Sequence, residues 1–104
     1  MALVDVIIYE SDDAAVKAVQ AVQSTAELNA YDRFGFRPLI QAVICRKFNT
    51  VHALVVAGAD IEQGDFINRT ALQWAVDRGE IELCYYLLEA GANPNHYSAE
   101  GQPI

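Results

Sequence analysis

The chain repeats itself with a period of 33 residues. When residues 32–62 are placed over residues 65–95, the same residue types return at matching positions, and both stretches contain the tripeptide Ala-Gly-Ala. The matching pairs are Asp32/Asp65, Leu39/Leu72, Ala42/Ala75, Val43/Val76, Leu54/Leu87 and Ala57-Gly58-Ala59/Ala90-Gly91-Ala92. A fixed period of about 20–50 residues is typical of chains that stack one small unit, and such chains usually bind other molecules.

Each copy is predicted to form two short helices. In the second copy, Thr70 is a suitable N-cap for a helix over residues 71–78, and Gly79 provides a left-handed stop. A second helix follows and ends at Gly91. Its apolar residues recur at spacings of three and four, which places them on one face: Ile81, Cys84, Leu87 and Leu88.

The first copy predicts the same pair of helices. Pro38 suits a first helical turn, and Gly58 stops the second helix. The residues expected to face inward are Leu39, Ala42, Val43, Val51, Leu54 and Val55. The small pairs Ala42/Ala75, Ala57/Ala90 and Ala59/Ala92 are expected where neighbouring helices or loops approach closely.

The flanks are weaker versions of the same unit. Upstream, we expect a helix over Ala2–Tyr9 and a second helix that begins after Ser11 or Asp12 and ends near Gln23. Downstream, residues 98–104 begin a third copy and stop at its first helical turn, so we expect the N-terminal piece of a longer protein. The predicted units are a degenerate capping repeat (1–29), two full repeats (30–62 and 63–95) and a truncated repeat (96–104).

Composition restricts the class of protein. The chain of 104 residues has room for one domain, and its formal net charge of -7 argues against binding to nucleic acid. Two cysteines make no disulfide framework, and no run of about 18 apolar residues occurs. Residues 1–10 carry no Lys or Arg, so we do not expect them to act as a signal peptide. We expect a cytoplasmic protein that does not bind a membrane. Location in the nucleus or in a host-cell cytosol is the alternative.

Catalytic chemistry finds little support. His52 and His96 are the only histidines, and both are expected to be solvated or packed on the surface; helix register aims neither of them at a cysteine. Cys84 is expected to be a small core residue, with Cys45 more exposed. No Cys-x-x-Cys, His-x-x-x-His or glycine-rich phosphate loop occurs, so we expect no metal, no cofactor and no enzymatic activity.

Residues 79–95 closely resemble the second half of an ankyrin repeat, and the pattern Asp32-x-x-Gly35-x-x-Pro38-Leu39-x-x-Ala42 resembles the first half. The resemblance covers residues 26–101, and 33 residues is the period of that family. It implies an all-α stack of helix-turn-helix units with projecting loops, forming a right-angled solenoid segment. The first helices depart from the family's usual Thr-Pro-Leu-His start, since they begin Arg37-Pro38-Leu39-Ile40 and Thr70-Ala71-Leu72-Gln73. Elsewhere, Arg46 replaces the stop glycine matched by Gly79, and Asn68 replaces the loop glycine matched by Gly35.

The resemblance also implies a protein–protein interaction module that binds its partner through loop tips and inner helices. Carried across by position, the candidate binding residues are Tyr31, Arg33, Phe34, Phe36, Ile44, Cys45, Phe66, Ile67, Arg69, Asp77, Arg78 and Tyr97. Aromatic and arginine residues dominate the energetics of many interfaces. The expected partner is an acidic or mixed acidic–apolar protein segment.

Other interpretations stay open. The loop aromatics could pack on one another or on a further repeat, and Trp74 could be either an interhelix packing residue or a contact residue. The stack could be the targeting arm of a larger protein or enzyme, such as a bacterial effector. It could also be a structural or self-associating module, because its C-terminal end has no cap.

Overall fold

The computed structural model describes residues 3–32 and 34–94, and all regular structure within them is helical. The seven helices in these ranges are α1 (Leu3–Tyr9), α2 (Asp12–Gln20), α3 (Thr25–Asn29), α4 (Pro38–Ile44), α5 (Phe48–Ala57), α6 (Ala71–Asp77) and α7 (Ile81–Glu89). Three antiparallel pairs, α1/α2, α4/α5 and α6/α7, stack side by side. None of the helices in the described ranges is long and apolar enough to cross a bilayer.

The N-terminal pair ends earlier than the sequence predicts. Ser11 is the N-cap of α2, and its hydroxyl accepts a hydrogen bond from the Ala14 N–H at 3.1 Å. The helix then stops at Gln20 rather than near Gln23. Ser24 has an extended backbone and its hydroxyl accepts from the Glu27 N–H at 3.2 Å, so this serine begins the short helix α3 that the sequence analysis did not anticipate.

The helix boundaries of the two full copies follow their caps. The Thr70 hydroxyl accepts from the Gln73 N–H, and Pro38 occupies the first turn of α4. Gly58, Gly79 and Gly91 all have positive φ, as expected for left-handed helix stops.

At the α4–α5 turn, Arg46 adopts the left-handed conformation that glycine adopts in the other copy, with φ 58°. This conformation costs a non-glycine residue about 1–2 kcal/mol. Two side chains hold the turn: the Arg46 guanidinium pairs with Glu80 at 2.8 Å, and the Lys47 amino group donates to the carbonyls of Ile7 and Glu10 at the end of α1. The arginine is therefore tolerated because its turn is anchored to both neighbouring helix pairs.

Polar contacts fix each unit on the next. The Asp12 carboxylate accepts hydrogen bonds from the Thr50 N–H at 2.9 Å and the Thr50 hydroxyl at 2.6 Å, which caps the start of α5. The Asn29 side chain accepts from the Asp60 N–H at 2.9 Å. Thirty-three residues later the Glu62 carboxylate accepts from the Asn93 N–H at 2.8 Å, so the same interunit bond recurs.

No described residue covers the face of the α6/α7 pair that points away from the stack. Val43 on α4 has no exposed surface because α6 packs on it, whereas its counterpart Val76 on α6 is 47% exposed. On α7, Leu83 and Leu87 are buried, while Ile81 and Leu88, predicted on the same face as Leu87, are exposed. Ile81 and Leu88 share a face of α7, as their spacing predicts, but that face lies at the uncovered end of the described stack.

Most of the small residues lie at close contacts. Ala42 and Ala75 have no exposed surface, and Ala59 and Ala92 are buried in the loops that follow α5 and α7. The expectation of close packing was wrong for Ala57, which is exposed on the last turn of α5. The interhelix alanines on α4 and α6 therefore set the spacing of the stack.

A larger side chain at Ala75 is expected to destabilise the fold. The change Ala75→Leu places three extra carbons where no space remains, and we expect the free energy of unfolding to fall by about 1–3 kcal/mol. Urea denaturation followed by circular dichroism measures this change. The control is Ala57→Leu, the same change at an exposed helical alanine, which should stay within about 0.5 kcal/mol of the parent. Equal effects of the two substitutions would contradict the packing described for α6.

Candidate functional site

The loop before α4 is built around one carboxylate. Asp32 Oδ1 accepts hydrogen bonds from the N–H groups of Phe34 at 2.8 Å and Phe36 at 2.9 Å. The other oxygen, Oδ2, accepts from the Gln41 side chain at 3.3 Å, which connects the loop to the first helix of its own unit. The Asp32 N–H also donates to the Phe36 carbonyl at 2.7 Å, so the loop closes as a tight turn.

The same arrangement recurs 33 residues later around Asp65, which is 3% exposed. Its Oδ1 accepts from the N–H groups of Ile67 at 3.0 Å and Arg69 at 2.9 Å. Its Oδ2 accepts from the Trp74 indole N–H at 2.9 Å. A buried carboxylate with three donors is well satisfied, so each loop tip is held in one conformation by its own first residue.

The two loop tips are also bonded to each other. The Phe66 N–H donates to the Gly35 carbonyl at 3.0 Å. Gly35 has φ 85°, and a Cβ atom at this position would lie 2.8 Å from the Cβ of Phe66. Glycine is therefore required at residue 35 both for its backbone conformation and for the close approach of the next loop.

Behind the tips, three aromatic rings and one guanidinium form a cluster. Phe36 packs edge-to-face against Phe66 and against Trp74, with ring centroids 5.9 Å apart in both cases. The Arg69 guanidinium lies 4.3 Å from the centroid of the Trp74 ring and 3.6 Å from Asp65 Oδ2. Trp74 is thus a packing residue that joins the loop to α6, and Phe36 is half-buried beneath the tips.

Arg37 joins the loops of successive units. Its Nε donates to the Gly64 carbonyl at 2.8 Å, and its Nη1 donates to the Asn29 carbonyl at 2.9 Å. The guanidinium also lies 3.9 Å from the centroid of the Tyr31 ring. The Arg37 side chain therefore makes two hydrogen bonds and packs on one face of the Tyr31 ring.

The structure places the candidate binding residues in two groups. The loop-tip group consists of Tyr31, Phe34, Phe36, Phe66, Ile67 and Arg69. In it, Tyr31, Phe34 and Phe66 are 52%, 56% and 62% exposed. The second group lies where the first helices end and consists of Ile44, Cys45, Asp77 and Arg78.

The two groups lie at opposite ends of α4 and α6. Seven helical residues rise about 10 Å, so a partner would have to span roughly this distance to touch both. Ile44 and Cys45 are half-buried, whereas Asp77 and Arg78 are exposed. The predicted candidates Arg33 and Tyr97 lie outside the described residues.

Sequence reasoning missed the residues that position the site. Asp32 and Asp65 were recognised only as a matching pair, although an aspartate before a short loop is a signal for bonds to N–H groups two and four residues later. Arg37 was noted only as a departure from the family pattern. Its partners, Asn29 and Gly64, are brought to it by the stacking and leave no local signal.

The described residues include two thiols, and burial weakens both as nucleophiles. Burial raises the pKa of the Cys45 thiol above its usual value, against the opposing effect of Lys47 and Arg78. Burial also raises the pKa of the Cys84 thiol, so both cysteines stay protonated at neutral pH and are weak nucleophiles. No group of three or more potential metal ligands occurs among residues 3–32 and 34–94.

His52 lies on the outer face of α5, and its Nδ1 shares a hydrogen bond of 2.9 Å with the Tyr86 hydroxyl on α7. Burial raises the pKa of Tyr86 above its usual value, which keeps the hydroxyl neutral. The rings lie 5.5 Å apart, so this pair serves as a contact between neighbouring second helices.

The chain is similar to much longer proteins. It is 36% identical over 72 residues to mouse inversin and 35% identical over 72 residues to human inversin, which covers 69% of this chain and 7% of each inversin. Among solved structures, the Legionella effector AnkH superposes with a TM-score of 0.80 at 32% identity, over 99% of this chain and 22% of that effector chain. The chain thus spans only a small part of the proteins it matches.

A family model decides the classification. The model for ankyrin repeats in three copies matches residues 5–98, nearly the whole chain. The seven helices of the described residues and the superposition on an ankyrin-repeat effector agree with that match. The chain therefore belongs to the ankyrin-repeat family.

Proposed function

We propose that this chain recognises a protein partner through the loop-tip group together with the inner helices α4 and α6. Ankyrin repeats are in general protein–protein interaction modules, which supports binding as the class of function. The observation that carries the proposal is that Phe34 and Phe66 are more than half exposed on loops whose backbones are fixed by Asp32 and Asp65.

Fixed loops favour binding for an entropic reason. Ordering a flexible loop on association costs free energy that the contact must offset. Here the hydrogen bonds to Asp32 and Asp65, and the bond between Phe66 and Gly35, already restrict the backbone. Burial of the exposed apolar surface of the two phenylalanine rings would then contribute about 25 cal/mol per Å² to binding, with little further ordering of the loops.

Contacts within the chain limit which arginine side chains can reach a partner. Arg69 already contacts Asp65 and stacks on Trp74, so its contribution to a partner is limited to the exposed edge of its side chain. Arg78 is exposed at the end of α6. We propose that the partner places apolar side chains on the tips and a carboxylate near Arg78, and that Arg33 adds a second basic contact.

The double substitution Phe34→Ala and Phe66→Ala tests this proposal. Removing two aromatic anchors should weaken binding at least about thirtyfold, because central interface residues contribute about 2 kcal/mol or more. The measurement is a quantitative pull-down from cytosolic extract, followed by titration of the purified partner, with circular dichroism to confirm that helix content is unchanged.

The matched control is Tyr9→Ala, which removes a similarly exposed aromatic ring from the end of α1, away from the tips. It should leave the affinity unchanged. A partner that binds the Phe34 and Phe66 variant as tightly as the parent would show that the loop-tip group is not the binding surface.

A second candidate function concerns the uncovered face of α6 and α7. Val76, Ile81, Tyr85 and Leu88 are exposed there, whereas Val43, the counterpart of Val76, is buried by the following unit. This difference favours docking of a further helical unit, either in a longer protein for which this segment is the recognition arm or in a second copy of the chain. The lengths of the inversins and the effector support the first form.

Light scattering at several concentrations tests whether the 104-residue chain associates through that face. We expect a concentration-dependent rise in mass, because apolar residues left exposed at the end of a stack favour association. The double substitution Tyr85→Glu and Leu88→Glu should abolish the rise. A mass that stays monomeric at all concentrations, or association that survives the substitutions, would contradict self-association.

A further inference from the structure

A groove of about 430 Å³ lies beside the loop-tip group, between α1, the segment that follows α3 and the start of α4. We call it the N-terminal groove. Its volume falls within the range of about 300–1,000 Å³ that is usual for ligand pockets. Buried side chains of Leu3, Val4 and Pro38 line its inner part, and the exposed aromatic rings of Tyr31 and Phe34 line its outer part.

Carboxylates also line this groove. Asp5 comes from α1, Glu27 from α3, and Asp32 from the loop before α4. Asp32 is occupied by the hydrogen bonds that close its loop. By contrast, the carboxylates of Asp5 and Glu27 make no hydrogen bond or ion pair with another residue of the described ranges.

Most of the described basic residues have other contacts. Arg46 pairs with Glu80, Lys47 donates to carbonyls at the end of α1, and Arg69 contacts Asp65. Arg37 bonds to two backbone carbonyls and lies 3.9 Å from the centroid of the groove-lining Tyr31 ring, but it makes no ion pair within the described residues. With a formal net charge of -7, the chain as a whole also attracts cations. The groove therefore combines an apolar lining with two carboxylates, Asp5 and Glu27, that make no ion pair within the described residues.

An apolar groove with carboxylates matches a particular kind of side chain. Lysine and arginine carry an aliphatic stem that packs on apolar surface and a cationic head that stays near polar groups. Aromatic faces attract such cations as well. A purely aliphatic side chain would fill the groove but leave Asp5 and Glu27 without a partner, and an acidic side chain would be repelled.

We propose that the N-terminal groove binds a lysine or arginine side chain of a protein partner, with the stem on Leu3, Val4 and Pro38 and the head between Asp5 and Glu27. This proposal rests on the proposed protein-binding function and specifies its chemistry at one end of the surface. It requires a partner segment of mixed charge, with a basic residue at the groove and an acidic residue near Arg78.

The test is an NMR titration with the blocked peptide acetyl-Ala-Leu-Lys-Leu-Ala-amide and with a matched peptide in which norleucine replaces lysine. The lysine peptide should shift the backbone amide signals of Asp5, Tyr31 and Phe34 and should bind more tightly than the norleucine peptide. Its affinity should fall as salt is raised, because the added contacts are ionic. Equal binding of the two peptides at the groove, or no lysine-dependent shift there, would overturn the proposal.

Charge substitutions locate the contact. The double variant Asp5→Asn and Glu27→Gln should weaken the lysine peptide about three- to tenfold, as expected for two partly exposed ion pairs, and leave the norleucine peptide unchanged. The control, Glu82→Gln with Glu89→Gln, removes two exposed carboxylates from α7 and should have no effect. An equal loss in both variants would show that only net charge matters and would overturn the assignment to this groove.

Failure of the groove assignment is distinguishable from failure of the proposed function. If the lysine preference is absent but Phe66→Ala still weakens the natural partner, the groove assignment alone fails.

Discussion

Val43 is completely buried and Val76, its counterpart in the next unit, is not, and this difference reveals the constraint on which the structure depends. A single helix pair has no interior of its own large enough to cover its apolar face. Each pair is completed by the pair stacked on it, with Ala42 and Ala75 allowing the close approach. The caps and interunit bonds, such as Asp12 to Thr50 and Glu62 to Asn93, then fix the register of the stack.

Stacking also determines the shape of the candidate binding surface. Once α4 and α6 are side by side, the loops before them meet, and the Phe66 N–H reaches the Gly35 carbonyl. Asp32 and Asp65 hold those loops from within, and Arg37 ties them to the preceding segment. The exposed rings of Phe34 and Phe66 are therefore displayed by a backbone that is already ordered, which connects the repeat architecture to the proposed recognition.

Much of the fold could be predicted from the sequence, because caps and stops are local signals. Thr70, Pro38 and Gly58 lie next to the helix ends they mark, and the 33-residue period implies stacking. The other features of the fold depend on contacts between residues that are far apart in the sequence. The partners of Arg37 become neighbours only in the stack, and the exposure of Leu88 depends on what lies beyond α7. The candidate site was only partly predictable, since exposed aromatics can be named from loop position but Arg69 proved to be committed to Asp65 and Trp74.

Amide hydrogen exchange tests the central claim, that stacking fixes the loop tips before any partner binds. The amides to follow are those of Phe36, Phe66 and Arg69, whose N–H groups donate to Asp32, Gly35 and Asp65. The account predicts that they exchange slowly and that urea accelerates their exchange to the same degree as that of the core amides of α4 and α6, because they open only when the stack opens. Fast exchange of these three amides beside slow exchange in the helices would show that the loops are free to move, and would contradict the account.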